Sequence, residues 1–115
     1  MEATELRIGN LIEYNDGSEE CKVLGIHEYG IDVEFPEETT YIEYEAFSPI
    51  PLTEEWLLKL GFKEVEGVFV KGHLKLLAIR DLYWRANYPI IVDVIHIHQL
   101  QNLYFALCGE ELKLN

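Results

Sequence analysis

The chain has 115 residues, 49% of them hydrophobic and 12% aromatic, and 21 acids against 9 bases give a net charge of −12. That apolar content excludes a disordered chain, and the length buries enough surface to fold without a metal or a disulfide. Fifteen of the acids but only two bases, Arg7 and Lys22, fall in residues 1–58, whereas residues 59–115 hold six acids and seven bases; this disfavours a nucleic-acid surface on the first half, because phosphate contacts need clustered Lys and Arg.

MEATELRIGN has no basic region followed by an apolar run, so no signal peptide is expected. No apolar run reaches the ~20 residues of a membrane-spanning helix, so no membrane is expected and cytoplasm is the expected location. Residues 7–50 read as short strands broken by turns. Leu11, Ile12 and Tyr14 precede the turn signal Asn15-Asp16-Gly17. Cys21 to Ile26 is the next strand, with Gly25 placed for a bulge. Glu28-Tyr29-Gly30 reverses the chain. Ile31, Val33 and Phe35 then alternate with Asp32 and Glu34, the period of a half-buried strand. Pro36-Glu37-Glu38 turns into Thr40, Tyr41, Ile42 and Tyr44. Four or five short strands in this span predict a small, strongly bent antiparallel sheet or an SH3-like barrel, with the acids on turns and outward positions.

Thr53 is a good N-cap for a helix over 54–60. Leu52 and Leu57 can form a hydrophobic staple across it. Glu54 and Glu55 suit the positive end of the helix dipole. Gly61 is a natural stop, and Phe62 can close a Schellman-type cap on Leu57. Trp56, Leu57 and Leu60 are predicted to face inward. Residues 62–97 return to strand patterning. Glu66-Gly67 is a hairpin turn, and Lys71-Gly72 marks the next reversal. Strands follow over His73–Arg80, Leu82–Arg85 and Ile90–Ile97, the last two joined by Ala86-Asn87-Tyr88-Pro89. Leu100, Leu103, Tyr104 and Leu107 form an i, i+3, i+4, i+7 stripe, which predicts a helix from His98 to Leu107 stopped by Gly109. The expected fold is therefore α+β: an acidic β subdomain over 1–50, then a capped helix and an antiparallel meander covered by a C-terminal helix over 51–115, packed as one compact unit. Cys21 and Cys108 match no CxxC pattern and read as isolated buried thiols.

Several groups invite a functional reading. His96 and His98 would share one face of a strand and are weak metal candidates, since Zn needs three or four protein ligands and no third is fixed by the sequence; no cofactor is expected. Asp93 with His96 suggests acid–base chemistry, but a strand puts the two on opposite faces and nothing supplies a nucleophile or a phosphate cradle. No catalytic residue is assigned, and an enzyme is not expected. Lys59, Lys63, Lys71, Lys75, Arg80 and Arg85 are followed closely by aromatics that could stack on bases, a pattern that docking against the acidic half, in the same chain or in a second copy, explains equally well. Tyr83, Trp84, Arg85 and Tyr88 are the best candidates for a partner surface, because Trp, Tyr and Arg dominate binding hot spots. Strand alternation sends Tyr83 and Trp84 to opposite faces.

Three segments, Arg7-Ile8-Gly9-Asn10-Leu11, PIPLTEEWLLKLGF at 49–62 and HQLQNLYFALCGEEL at 98–112, resemble a group of small uncharacterised proteins from Bacteroides-type genomes and their phages or mobile elements. The resemblance covers about 34 residues in three blocks. It implies a source and an intracellular setting and carries no activity. The Ile-Gly-Asn-Leu-Ile strand entry is also similar to the opening of SH3-like barrels in small phage proteins, a likeness of fold alone.

The expected function is a non-enzymatic protein-interaction or accessory module. Its partner would be a protein, with a second copy of this chain among the candidates. The alternatives are an acidic nucleic-acid mimic that occupies a host DNA-binding protein, which needs carboxylates in two rows on one face, and a small metal-dependent enzyme built on His96 and His98.

Overall fold

The computed structural model describes residues 5–14, 19–80, 83–88, 91–112 and 114, with the backbone alone at 87 and 88. The Asn15-Asp16-Gly17 turn, Leu82, Pro89 and the Tyr88 side chain, all singled out above, lie outside the described residues. The fold is α+β, as the patterning predicts. In chain order the elements are β1 (Leu11–Tyr14), β2 (Glu19–Ile26), β3 (Gly30–Glu34), β4 (Thr39–Glu43), a one-turn 3-10 helix (Tyr44–Ala46), β5 (Phe47–Pro49), α1 (Glu54–Lys59), β6 (Lys63–Val65), β7 (Val68–Lys71), β8 (Leu74–Ile79), β9 (Tyr83–Tyr88), β10 (Val92–Val94) and α2 (Ile97–Cys108).

The first sheet has the order β4-β3-β2-β1-β5, antiparallel throughout. β1 to β4 form a meander, since few residues separate successive strands in the chain. The 3-10 turn then carries the chain across, so that β5 pairs with β1. β4 and β5 end as the two edges, so the sheet is open and not a closed barrel among the described residues. The predicted alternation holds: Ile31, Val33 and Phe35 are buried with Ile12, Cys21, Val23, Ile42 and Phe47 in one core. The register slips between Val23 and Gly25, and this bulge bends β2 where the sequence places a glycine. Gly30 must be a glycine for a different reason. A Cβ there would lie 2.3 Å from the Ile42 carbonyl oxygen and 2.7 Å from the Tyr41 ring.

α1 forms as its caps dictate. The Thr53 hydroxyl accepts from the Trp56 N–H at 3.3 Å. At the other end Phe62 N–H donates to Leu57 C=O at 3.0 Å and Gly61 N–H to Leu58 C=O at 3.1 Å, the two bonds of a Schellman motif around Gly61 at φ 91°. Lys71 Nζ reaches the Leu60 carbonyl at 2.7 Å and satisfies another orphan acceptor. Trp56, Leu57 and Leu60 are buried as expected.

The second sheet is the meander β6-β7-β8-β9-β10. Glu66 and Gly67 both have positive φ, the geometry of a type I′ hairpin turn between the paired Val65 and Val68. Three boundaries differ from the sequence reading. The β7–β8 reversal falls on Gly72-His73, because Lys71 and Leu74 still pair. β9 runs on through Ala86 to Tyr88, so these residues are strand and not connection; Leu76–Ala86 and Lys75–Tyr88 pairing outweighs the local turn signal. β10 is correspondingly short, since Ile95 leaves β9 to accept from Leu52 N–H at 3.0 Å. Phe69, Leu74, Leu76, Trp84, Ala86 and Val94 turn one face of this sheet toward α1 and α2 and form the second core with Leu57, Leu60, Ile97 and Leu100. The two halves therefore bury separate apolar clusters.

Leu11 of β1 packs against the second core, and the rest of the joint among the described residues is largely polar. Gln101 of α2 is 2% exposed, and its side-chain oxygen accepts from Leu11 N–H at 2.8 Å while its amide donates to Gly9 C=O at 3.2 Å. Buried Asn10 donates to Asn102 Oδ1 at 2.9 Å and accepts from Arg7 N–H at 2.7 Å. The Arg7 guanidinium lies over the Phe105 ring, bonds Asn102 at 3.2 Å and pairs with Glu111. The Ile50–Leu52 segment closes the joint from a third side, through Ile97 N–H to Ile50 C=O at 2.9 Å. Segments 7–11 and 98–112 thus meet across this network, and the start of segment 49–62 abuts it.

Candidate functional site

The register of the second sheet sorts its residues onto two faces. Val65 pairs with Val68, Val70 with Lys75, Leu77 with Arg85 and Ile79 with Tyr83, and paired residues project to the same side. This outer face therefore carries Val65, Val68, Val70, Leu77, Ile79 and Tyr83. None belongs to either buried core, and Val65 is 56% exposed. Both helices pack on the opposite face. Val68, Val70, Leu77, Ile79 and Tyr83 are half-buried, so beside the charged residues of this face the sheet leaves a partly solvent-exposed stripe of β-branched and aliphatic side chains.

The predicted partner residues divide across the sheet. Tyr83 stands on the outer face. Arg85 stands beside it, with its Nη2 3.4 Å from the Tyr83 hydroxyl and its Nε 2.9 Å from Asp93 Oδ1 on β10. The hydrogen bond and charge of Asp93 hold this guanidinium even more firmly in its charged form. Trp84 does not belong to the surface. It is buried, packs edge-on against Phe69 with ring centroids 5.4 Å apart, and donates from Nε1 to Leu52 C=O at 3.0 Å. A buried indole needs an acceptor, and the segment before α1 supplies it. A recess of about 240 Å³ lined by Leu52, Thr53, Ala78, Tyr83, Trp84 and Ile95 opens beside this point.

The basic stretch is scattered. Lys63, Lys75 and Arg85 share the outer face, by their pairing with Val70, with Val70 again and with Leu77. Lys71 lies on the other face, held at the C-terminus of α1. Lys59 sits on α1, paired with Glu55 and 4.9 Å from the centre of the Trp56 ring. Arg80 occupies the β8–β9 turn with φ 54°. In the first sheet, the same reasoning places Glu13, Glu20, Lys22, Asp32, Glu34 and Glu43 on its outer face, through the pairs Glu13–Glu20 and Lys22–Glu34 and the two-residue period. Lys22 interrupts the acids, and Asp32 Oδ2 is turned to His27 Nε2 at 2.8 Å. The remaining strand-turn acids, Glu28, Glu37, Glu38 and Glu45, sit at the ends of the sheet.

His96 and His98 are close together, although not on a strand. His96 is the N-cap of α2, where the Gln99 side-chain oxygen accepts from the His96 N–H at 2.9 Å, and His98 lies in the first turn. The rings stack 5.7 Å apart at 16°. His98 packs inside, 1% exposed, and among the described residues neither of its ring nitrogens has a hydrogen-bond partner. Burial lowers the pKa of both imidazoles, and for His98 the neighbouring His96 charge lowers it further, against a smaller opposing pull from Glu5, whose carboxylate oxygen is 3.7 Å from Nε2. Among the described residues no three His, Cys, Asp or Glu side chains gather as a metal would require. Asp93 turns to Arg85, so it forms no acid–base pair with His96. Cys21 is buried, but Cys108 is exposed, contrary to the expectation of two buried thiols. Among the described residues no helix is long and apolar enough to cross a membrane.

Sequence reasoning missed the Gln101–Asn10–Arg7 network. The signal was present: Gln101 is four residues after Ile97, on the same inward side as Leu100 and Tyr104, a polar residue in an apolar stripe. Comparison with protein families, curated proteins and solved structures finds no match to this chain.

Proposed function

We propose that this chain is a non-enzymatic protein-interaction module that docks through the outer face of its second sheet, with Tyr83 and Arg85 as anchors. One observation carries the reading: a stripe of half-buried apolar side chains, Val68, Val70, Leu77 and Ile79, faces away from both helices and both cores and ends at a Tyr–Arg pair. Burying such a stripe is favourable by roughly 25 cal/mol per Å² of apolar surface, and contiguous apolar patches on a folded surface mark contact sites. Arg85, already oriented by Asp93, offers a preorganised cation at the rim, where charge sets orientation and approach. The implied setting is an intracellular assembly of a phage or mobile element, on the strength of the three-segment resemblance.

The test is affinity capture from the native host, read by mass spectrometry, with the wild type beside Leu77→Glu and Tyr83→Ala. The far-UV spectra of all three should coincide, since neither side chain is in a core. A protein captured by the wild type and lost by both variants supports the reading. Equal capture by all three refutes it.

A further inference from the structure

We infer that the occupant of this face is a second copy of the chain, docked by the outer face of its first sheet, so that copies associate head to tail. The inference rests on the proposed docking face and names its partner. The two sheets present opposite charge on comparable scaffolds. Among the described residues the outer face of the second sheet carries Lys63, Lys75 and Arg85, and one acid, Asp93, which is paired to Arg85. The outer face of the first sheet carries Glu13, Glu20, Asp32, Glu34 and Glu43 and, among the described residues, one base, Lys22. Both faces are five-stranded antiparallel surfaces, and two such sheets pack face to face with their strands roughly aligned. Tyr41, 48% exposed on the acidic face beside Asp32, supplies an aromatic surface for the apolar stripe.

Self-pairing of like faces is disfavoured. Two copies of the second sheet would set Lys63 and Lys75 against their equivalents, and two copies of the first would oppose two carboxylate fields. A contact between different patches is heterologous: it repeats, and closes only if the rotation between copies closes. The net charge of −12 opposes any association at long range, so the contact must be short-ranged and specific to these patches.

The geometry gives a decisive mixing experiment. Lys63→Glu with Lys75→Glu disables the basic face; Glu20→Lys with Glu34→Lys disables the acidic face. All four side chains are exposed strand residues outside both cores, and circular dichroism checks that each variant folds. Light scattering coupled to gel filtration should show wild type growing in mass with concentration and each double variant at the 13.4 kDa of a single chain. Mixing the two double variants leaves one intact basic face and one intact acidic face, and the two reversed faces complement each other as well, so complexes of at least twice that mass should form although neither variant associates alone. A wild type that stays monomeric at every concentration overturns the self-association while leaving capture of a foreign protein by Leu77 and Tyr83 intact. Association unchanged in the charge variants but lost in Leu77→Glu overturns the head-to-tail pairing and keeps the face. A mixture that remains monomeric overturns the proposal.

Discussion

Gln101 is the residue on which the two halves of this protein turn, and its removal should show it. In Gln101→Ala the Leu11 N–H loses its acceptor and the Gly9 C=O loses its donor, both bonds being made by the one side chain at 2.8 and 3.2 Å. Each orphaned backbone group inside a fold costs about 1–3 kcal/mol, so the pair should cost about 2–4 kcal/mol, the lower part of the range because Leu11 is only half-buried. That is a large share of the roughly 5–15 kcal/mol that a domain has. Gln99→Ala is the matched control. The same amide there serves Ile95 and His96 N–H at the outer end of α2, where water replaces it, and the loss should be under about 1 kcal/mol. The assay is urea unfolding followed by two probes. Both tryptophans, Trp56 and Trp84, lie in the second core, so their emission reads that half alone, whereas far-UV circular dichroism reads both sheets. Gln101→Ala should lower the midpoint and separate the two transitions. A midpoint shift no larger than that of Gln99→Ala, with the transitions still coincident, would refute the view that this amide joins the halves.

Three further outcomes follow from particular side chains. His98 is neutral in the fold with its pKa lowered by burial, so the unfolded chain binds a proton more readily and stability is lost as pH falls below the ordinary histidine value of about 6.5; urea midpoints between pH 7.5 and 5 should fall more steeply for wild type than for His98→Leu, and parallel curves would contradict the assignment. Gly30→Ala drives a methyl into the Ile42 carbonyl and the Tyr41 ring, so it should cost about 1–3 kcal/mol by overpacking, seen as a lower thermal midpoint, whereas Gly67→Ala meets nothing and should cost only the strain of its positive φ. Cys21 is buried, and burial, aided by Glu19, pushes its thiol up to about 11; a thiol reagent should label one cysteine, the exposed Cys108, in the native protein and the second only after unfolding.

Local signals were legible wherever the physics is local. α1 needs only its own residues: Thr53 caps it, Gly61 admits the left-handed turn and Phe62 returns to Leu57, so sequence and structure agree nearly to the residue. The same is true of the Glu66-Gly67 hairpin and of the alternating Ile31, Val33 and Phe35. The length of β9 was not legible, because Ala86 to Tyr88 are held as strand by pairing with β8, which a turn-forming composition does not reveal. Nor was the division of labour between Tyr83 and Trp84 assignable before the register was known. Alternation says that they diverge; only the contact with Phe69 and Leu52 says which goes in.

From the sequence alone come the α+β class, the two helices, the hairpins and the concentration of acid in the first half, because each depends on neighbours within a few positions. Tertiary structure alone decided that the two sheets keep separate cores, that Gln101, Asn10 and Arg7 join them, that His96 and His98 stack with one of them sealed inside, and that an apolar stripe of the second sheet is left facing out. The joint between the halves depends on residues about 90 apart being brought within hydrogen-bond reach, and loop closure over such distances is set by the sum of weak contacts across the whole chain rather than by any one stretch of it.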